Sequence, residues 1–151
     1  MRILTAAVAT LLGIGRAPFA PGTVASLAAL PLAWGITQSG GRVLLIVCTL
    51  AATALGIWAS DRYARACGTQ DPSECVVDEL AGQWLACAVA PLSLLGYAVA
   101  FLAFRAFDIW KPWPISAAER QPGGVGIMLD DIVAGAAAGV VVAGVRAAGL
   151  I

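Results

Sequence analysis

Long runs without a charged side chain constrain the fold of this chain more than any other feature. Val43–Ser60 covers 18 residues and Leu80–Phe104 covers 25, both without a charge. About 20 apolar residues in a helix suffice to cross the hydrocarbon of a bilayer. Hydrophobic residues make up 60% of the sequence and charged residues 12%, against roughly 45–50% and about 25% in soluble domains. The sequence therefore favours a membrane-associated protein and excludes intrinsic disorder.

Length and charge narrow the possible functions further. The 151 residues predict one domain over 1–151. Nine basic and nine acidic side chains cancel, so the sequence has no basic surface for nucleic acid. It contains no histidine, which excludes a Ser-His-Asp triad, a Cys-His dyad and histidine metal ligands. Any chemistry must use carboxylates, Lys, Arg, hydroxyls, thiols or a metal ion.

The apolar runs predict a bundle of helices. Thr23–Thr37 and Val43–Ser60, separated by a turn at residues 39–41, read as a transmembrane helical hairpin. Pro91 lies near the middle of Leu80–Phe104 and predicts a break into two shorter helices. Such helices are too short to cross a bilayer, so they would be partly inserted, with their irregular backbone covered by protein.

The two ends of the chain add further helices. Ile3–Leu12 reads as a short interfacial or buried helix and not as a cleaved signal peptide. Ile132–Val145 reads as a final helix after a loop over Ile109–Val125, and its Gly135 and Gly139 predict close packing. The predicted fold class is all-α: a compact, helical, membrane-associated bundle with a transmembrane hairpin and shorter, partly inserted helices.

Five basic residues cluster in or beside the two polar loops of the sequence. They are Arg62, Arg65, Arg105, Lys111 and Arg120. Loops rich in Lys and Arg stay on the cytoplasmic side of a membrane. We therefore expect both polar loops to face the cytoplasm.

Five of the nine acidic residues border predicted apolar helices. They are Asp78, Glu79, Asp108, Asp130 and Asp131. Helix capping and the helix dipole explain one acid at each helix start. They explain adjacent pairs of acids less well, because like charges repel, and they do not explain Asp108 at a C-terminal end. If the bundle brings these carboxylates together, they repel one another unless a cation joins them.

Oxygen ligands alone favour Mg²⁺, allow Mn²⁺ and disfavour Zn²⁺. We interpret the five acids as the ligands of a hard cation, with capping alone as the alternative.

Basic and hydroxyl side chains suit a phosphate group beside such a cation. Arg105 and Lys111 lie three residues on either side of Asp108, so a continuing helix would place them on one face. Snorkelling to the membrane interface is the alternative role for both. Thr23 and Ser26 follow a Gly- and Pro-rich loop at a helix start, where free N–H groups bind anions. On its own, that Gly- and Pro-rich loop is more typical of an ordinary turn.

Three segments together resemble the phosphatidylglycerophosphatase A family. They are Ala17–Thr23 with Ser26–Ala28, Val76–Trp84, and Phe104–Ile115 followed by Gly123–Gly135. The resemblance extends over roughly residues 13–140. Ala25 departs from the glycine expected after the Pro-Gly-Thr sequence, a change that removes no chemical group.

The resemblance implies a mostly helical, membrane-associated, Mg²⁺-dependent lipid phosphatase. Its substrate would be the phospholipid phosphatidylglycerophosphate, hydrolysed to phosphatidylglycerol and inorganic phosphate. The expected location is the bacterial inner (cytoplasmic) membrane, with the active site facing the cytoplasm.

The hypothesis assigns a role to each candidate side chain. The metal ligands come from the five acids, and Asp78, Asp130 and Asp131 are also the candidate catalytic residues. One carboxylate would act as a general base on a water held by the metal, or as a nucleophile. The predicted substrate-binding residues are Arg16, Thr23, Ser26, Arg105 and Lys111.

Two other functions stay open at this point. A cation-binding membrane transporter would carry its acids in the middle of a span. A non-enzymatic membrane scaffold would use the acids as helix caps and leave them dispersed in space.

Overall fold

The computed structural model describes residues 2–151, which form helices and no β-strand. The α-helices are α1 (Arg2–Ala9), α2 (Pro21–Cys67), α3 (Val77–Val89), α4 (Leu94–Trp110), α5 (Ile115–Ala118) and α6 (Gly123–Ala147). A short 3-10 helix covers Ile14–Arg16. The all-α prediction is confirmed, as is the break near Pro91 that separates α3 from α4.

Helix α2 is the predicted hairpin, with a first arm over residues 21–39 and a second arm over residues 42–67. Its helical backbone is interrupted at Gly40 and Gly41, and Gly41 has a φ of 69°. That left-handed conformation favours glycine, which has no Cβ to clash. The predicted turn is confirmed, but the second arm continues past Ser60 and ends at Cys67.

The two arms run in opposite directions along α3. In the first arm, the carbonyl of Ala29 accepts a hydrogen bond of 3.0 Å from Nε1 of Trp84. At the turn, Arg42 donates to the carbonyl of Ala90, just past the end of α3. The second arm then returns to the start of α3, where Gly56 lies against Val77. Helix α3 is therefore enclosed by α2, and it also packs against α4 and α6.

Glycines bring α3 and α6 into direct backbone contact. A Cβ on Gly135 would collide with the backbone of Gly82, and a Cβ on Gly82 would meet the carbonyl oxygen of Asp131. One helical turn further on, a Cβ on Gly139 would lie 3.3 Å from Val89. The close packing predicted for Gly135 and Gly139 is thus formed within the chain, between α3 and α6.

Helix α6 begins earlier than the sequence predicted. It starts at Gly123 and not at Ile132, so Asp130 and Asp131 lie in its third turn and do not open it. The glycine-rich start has poor helix propensity, but tertiary packing overrides it. Gly124 fits against the backbone of Ile57 in α2, where any side chain would collide. The prediction of a loop over Ile109–Val125 is wrong for residues 123–125, which belong to α6, and for Ile115–Ala118, which form α5.

Two helices in the described part of the chain are long and apolar enough to cross a membrane. They are Pro21–Cys67 and Gly123–Ala147. Length and composition support association with a membrane, as the uncharged runs predicted.

Candidate active site

A polar pocket opens at one end of the bundle, with a volume of about 410 Å³. The starts of α2 and α3, the end of α4, the third turn of α6 and the loop over residues 71–75 form its walls. We call it the acidic pocket. Its charged lining residues are Asp71, Asp78, Glu79, Arg105, Asp108, Lys111, Asp130 and Asp131.

Three of these acids form a tight group, the three-acid cluster of Asp78, Glu79 and Asp131. One oxygen from each carboxylate lies within 4.8 Å of the others. Asp78 and Glu79 stand in the first turn of α3. Asp131 reaches them because Gly82 and Gly135 allow α6 to approach α3 so closely. Small residues in two helices thereby place acids from distant parts of the sequence together.

The three-acid cluster is poorly satisfied without a cation. Oε2 of Glu79 and Oδ2 of Asp131 are buried and have no hydrogen-bond partner among the described residues. Burial, and then the neighbouring Glu79, raises the pKa of Asp78 well above its usual range. Burial also raises the pKa of Glu79, with Asp108 adding to the effect. Two negative charges about 5 Å apart repel by roughly 3 kcal/mol at an effective dielectric of about 20.

The chemistry of the three-acid cluster suits a hard cation. It supplies several carboxylate oxygens at one point, two of them without partners. A bound Mg²⁺ takes oxygen ligands and would relieve both the repulsion and the unsatisfied atoms. The donor set therefore fits the cation that the sequence predicted.

Arg105 and Asp108 form a buried ion pair on the α4 wall of the acidic pocket. The guanidinium donates from Nη1 to Oδ2 of Asp108, and its Nε has no partner among residues 2–151. Gly22 makes room for this group, because a Cβ there would collide with Glu79 and lie 3.4 Å from Nη1 of Arg105. Asp108 thus orients an arginine that keeps a donor for another ligand.

Lys111 is a second cationic group that lines the acidic pocket. Its Nζ donates to Asp130 at 2.7 Å and to Glu119 at 2.6 Å. It follows the last turn of α4 in a left-handed conformation, with φ of 46°, and Pro112 prevents the helix from continuing. Burial lowers the pKa of Lys111, but the hydrogen bonds that its ammonium donates to Asp130 and Glu119 outweigh this effect and raise the pKa above its usual value. The ammonium is therefore charged and held in place.

Comparison with known families identifies the family of the chain. The family model described as phosphatidylglycerophosphatase A matches residues 7–146. The chain belongs to the phosphatidylglycerophosphatase A family.

Curated relatives of this phosphatidylglycerophosphatase A family member are similar over most of their length. The Escherichia coli (strain K12) phosphatidylglycerophosphatase A is 38% identical over 82% of this chain and 72% of its own. The Haemophilus influenzae protein of the same name is 35% identical over 86% and 81%. A Bacteroides thetaiotaomicron protein named "Putative phosphatidylinositol-3-phosphatase" is 36% identical over 85% and 84%. No solved structure matches significantly.

Family membership makes the chain a phosphatase, a phosphoric monoester hydrolase. The scaffold interpretation expected dispersed acids, whereas three lie within 4.8 Å of one another. The transporter interpretation expected acids in mid-span, and the position of Asp130 and Asp131 inside α6 does not by itself argue against it. Family membership decides between transporter and enzyme.

The structure brings together most, but not all, of the predicted site residues of this phosphatidylglycerophosphatase A family member. All five predicted acids line the acidic pocket with Arg105 and Lys111. Asp108 and Asp130 are paired with those two cations, so their role as metal ligands stays a prediction.

Three predicted substrate-binding residues lie outside the residues that line the acidic pocket. Arg16 pairs with Glu74 at 3.8 Å. Ser26 is fully buried and donates to the carbonyl of Gly22. Thr23 is half-buried in the first turn of α2. Their assignment to the substrate remains a prediction without a supporting contact.

Sequence reasoning missed Glu119 and Asp71. Glu119 is the one acid between Lys111 and Asp130 in the sequence, and α5 turns the chain so that it meets Lys111. Its position between two assigned residues was the available signal. Asp71 belongs to the loop before α3 and reaches the acidic pocket by tertiary folding alone, which no local pattern reveals.

Proposed function

We propose that this protein hydrolyses phosphatidylglycerophosphate to phosphatidylglycerol and inorganic phosphate, with Mg²⁺, at the cytoplasmic face of the bacterial inner membrane. The observation that carries the proposal is the three-acid cluster of buried, partly unpartnered carboxylates beside two oriented cationic side chains. Two relatives named phosphatidylglycerophosphatase A support the substrate.

Asp78, Glu79 and Asp131 would hold the Mg²⁺. When bound, the cation supplies positive charge that neutralises phosphate oxygens and makes the phosphorus more open to attack. The same carboxylates face one another at a distance set by α3 and α6, so the site is formed before the cation arrives. A preformed site limits the conformational entropy lost on binding.

Arg105 and Lys111 would bind the phosphate of the substrate. Asp108 fixes the guanidinium of Arg105 and leaves its Nε available as a donor. Lys111 also lines the acidic pocket, where it is held by its contacts with Asp130 and Glu119. Two cations aimed at one volume orient a phosphate and stabilise the charge that develops during its transfer.

Asp130 would receive the proton of the attacking water. Its carboxylate is buried at the acidic pocket and is held by Lys111. When the substrate phosphate attracts Lys111, the carboxylate becomes free to accept a proton as a general base. The water oxygen then bonds to phosphorus, the bond from phosphorus to the glycerol oxygen breaks, and that oxygen takes up a proton to become the hydroxyl of phosphatidylglycerol.

Exposed aromatic side chains support a location at the membrane interface. Phe19, Trp110 and Trp113 are 83%, 80% and 82% exposed. They border segments that line the acidic pocket, at the start of α2 and the end of α4. Trp residues collect at the level of lipid headgroups, which is the level at which this reaction must take place.

The test is phosphate release by the purified protein from phosphatidylglycerophosphate in detergent micelles. We expect release with Mg²⁺ and its loss after EDTA. A phosphatidylinositol 3-phosphate arm tests the substrate class suggested by the name of the Bacteroides relative. Faster release from that lipid would contradict the proposed headgroup while leaving the phosphatase assignment intact.

A matched pair of variants tests the residues. Asp130→Asn should abolish Mg²⁺-dependent release without unfolding the protein, because it removes the proton acceptor but keeps the shape of the side chain. Asp61→Asn is the control, since Asp61 pairs with the exposed Arg65 away from the lining of the acidic pocket. Full activity of Asp130→Asn would refute the assignment.

A further inference from the structure

An apolar groove lies on the outside of the bundle, between the first arm of α2 and the start of α4. Its volume is about 410 Å³, and it is lined by Leu30, Pro31, Trp34, Leu94, Tyr97 and Ala98. We call it the tail groove. None of its lining residues carries a charge, so it suits an apolar ligand.

The tail groove and the acidic pocket share the same two helices. At one end of this helix pair, Gly22 makes room for Arg105. At the other end, the rings of Trp34 and Tyr97 pack edge to face at 5.2 Å, and Oγ1 of Thr37 lies 3.3 Å from Oη of Tyr97. The first arm of α2 and α4 are therefore antiparallel, with the acidic pocket at one end and the tail groove towards the other.

The separation of the two sites matches the length of a lipid tail. Leu30 and Trp34 follow Gly22 by 8 and 12 residues (30 − 22 and 34 − 22). At about 1.5 Å of rise per residue, these steps place the tail groove roughly 12–18 Å from the acidic pocket. One leaflet is about half of the ~30 Å hydrocarbon thickness, or about 15 Å. A lipid with its phosphate in the acidic pocket would bring the far half of a tail to this depth.

The surface between the two sites is apolar. Leu27 precedes Leu30 on α2 by about one helical turn, and Leu102 follows Ala98 on α4 by about one turn, so each lies on the helix face that carries the tail groove. Both leucines are exposed. Residues 94–104 of α4 and residues 21–39 of α2 contain no charge. A lipid tail can therefore lie along the helix pair without passing a charged group.

We propose that the tail groove binds the distal part of an acyl chain of the phospholipid substrate and thereby sets the preference for chain length. This inference rests on the proposed function, because the phosphate must occupy the acidic pocket. Leu30 and Ala98 are the proposed specificity-determining residues, because a larger side chain at either position would fill the tail groove and exclude the acyl chain.

Two filling substitutions test the tail groove. Leu30→Trp and Ala98→Phe should lower the ratio of kcat/KM for full-length over short-tailed phosphatidylglycerophosphate by about tenfold, which corresponds to lost burial of roughly two methylenes. The short tails are chosen so that they do not reach the groove. Leu50→Trp and Ala51→Phe are matched controls on the second arm of α2, where both residues are exposed to the outside of the bundle.

An unchanged ratio in both filling variants, or an equal fall with both lipids, would overturn the inference. Failure of the wild-type protein to hydrolyse either lipid would instead refute the proposed function, and the inference with it.

A second measurement needs no variant. A full-length substrate analogue with a photoreactive group at its tail end should label the wild-type protein at Trp34 or Tyr97. Labelling confined to the second arm of α2 would also overturn the inference.

Discussion

The two ends of the interface between α3 and α6 differ in their packing and charge. Towards Gly139 and Val89 it is apolar and closely packed, with helix backbones in contact at Gly82 and Gly135. Towards the acidic pocket, the same two helices present acids that repel one another, and one oxygen each of Glu79 and Asp131 has no hydrogen-bond partner among the described residues. The packed end stabilises the fold, whereas the acidic end carries repulsion that the proposed cation would relieve. One interface thus combines the rigidity and the repulsion that the proposed cation site requires.

Among substitutions at the two ends of this interface, removal of an acid should have the largest effect on activity. We expect Asp131→Asn to lower Mg²⁺-dependent phosphate release by at least roughly 10²–10³-fold, because it removes a proposed ligand of the cation that would neutralise the transferring phosphate. The thermal unfolding midpoint in EDTA should not fall, since a source of repulsion is lost. A large drop in that midpoint would mean that the acidic end is structural after all.

A substitution at the packed end should reduce stability first and activity second. Gly135→Ala places a methyl group against the backbone of Gly82, and overpacking of this kind costs about 1–3 kcal/mol. Gly144→Ala is the matched control in the same helix, because a Cβ there meets nothing within 4 Å. It should raise stability by roughly 0.5–1 kcal/mol. Equal unfolding free energies for the two variants would show that the backbone contact is unimportant.

A third variant separates stability from cation binding. Glu79→Gln should raise the thermal midpoint in EDTA while reducing the increase that added Mg²⁺ produces. The first effect follows from weaker repulsion in the three-acid cluster, and the second from a lost ligand. Thermal unfolding with and without Mg²⁺ measures both. An undiminished Mg²⁺ effect would remove Glu79 from the cation site.

The smallest effect is expected at the rim of the acidic pocket. Glu119 is about half exposed, and exposed ion pairs contribute only about 0.2–1 kcal/mol. Glu119→Gln should lower the KM for the phospholipid by no more than about fivefold, because it releases Lys111 towards phosphate. Steady-state kinetics beside Lys111→Ala, which should raise KM, measures the difference. A higher KM in Glu119→Gln would reverse the role given to this residue.

Sequence patterns predicted the helices and the hairpin but not every boundary. The runs without charge and the glycines at residues 40 and 41 predict the two arms and the turn of α2, but not its end at Cys67. The start of α6 was not predicted from the sequence, because glycine disfavours isolated helices. The contact of Gly124 with Ile57 shows why glycine is required there. Local helix propensity does not include contacts with residues that are distant in the sequence.

The acidic residues of the site could be predicted from the sequence, whereas the contacts among its side chains could not. Doubled acids at Asp78–Glu79 and Asp130–Asp131 stand out in an apolar sequence, and they line the acidic pocket as expected. The division into a three-acid cluster and two ion pairs depends on side-chain geometry that spacing does not reveal. Spacing also does not reveal that Ser26, in the second turn of α2, donates its hydroxyl to the carbonyl of Gly22 in its own helix and not to the site.

The start of α3, which carries no charge beyond Glu79, and the loop over residues 71–73 both line the acidic pocket. On the proposed reaction, the two products separate by solubility. Inorganic phosphate can depart only into water, while the dephosphorylated lipid diffuses sideways in its own leaflet. Such a separation hinders the reverse encounter without any moving part in the protein.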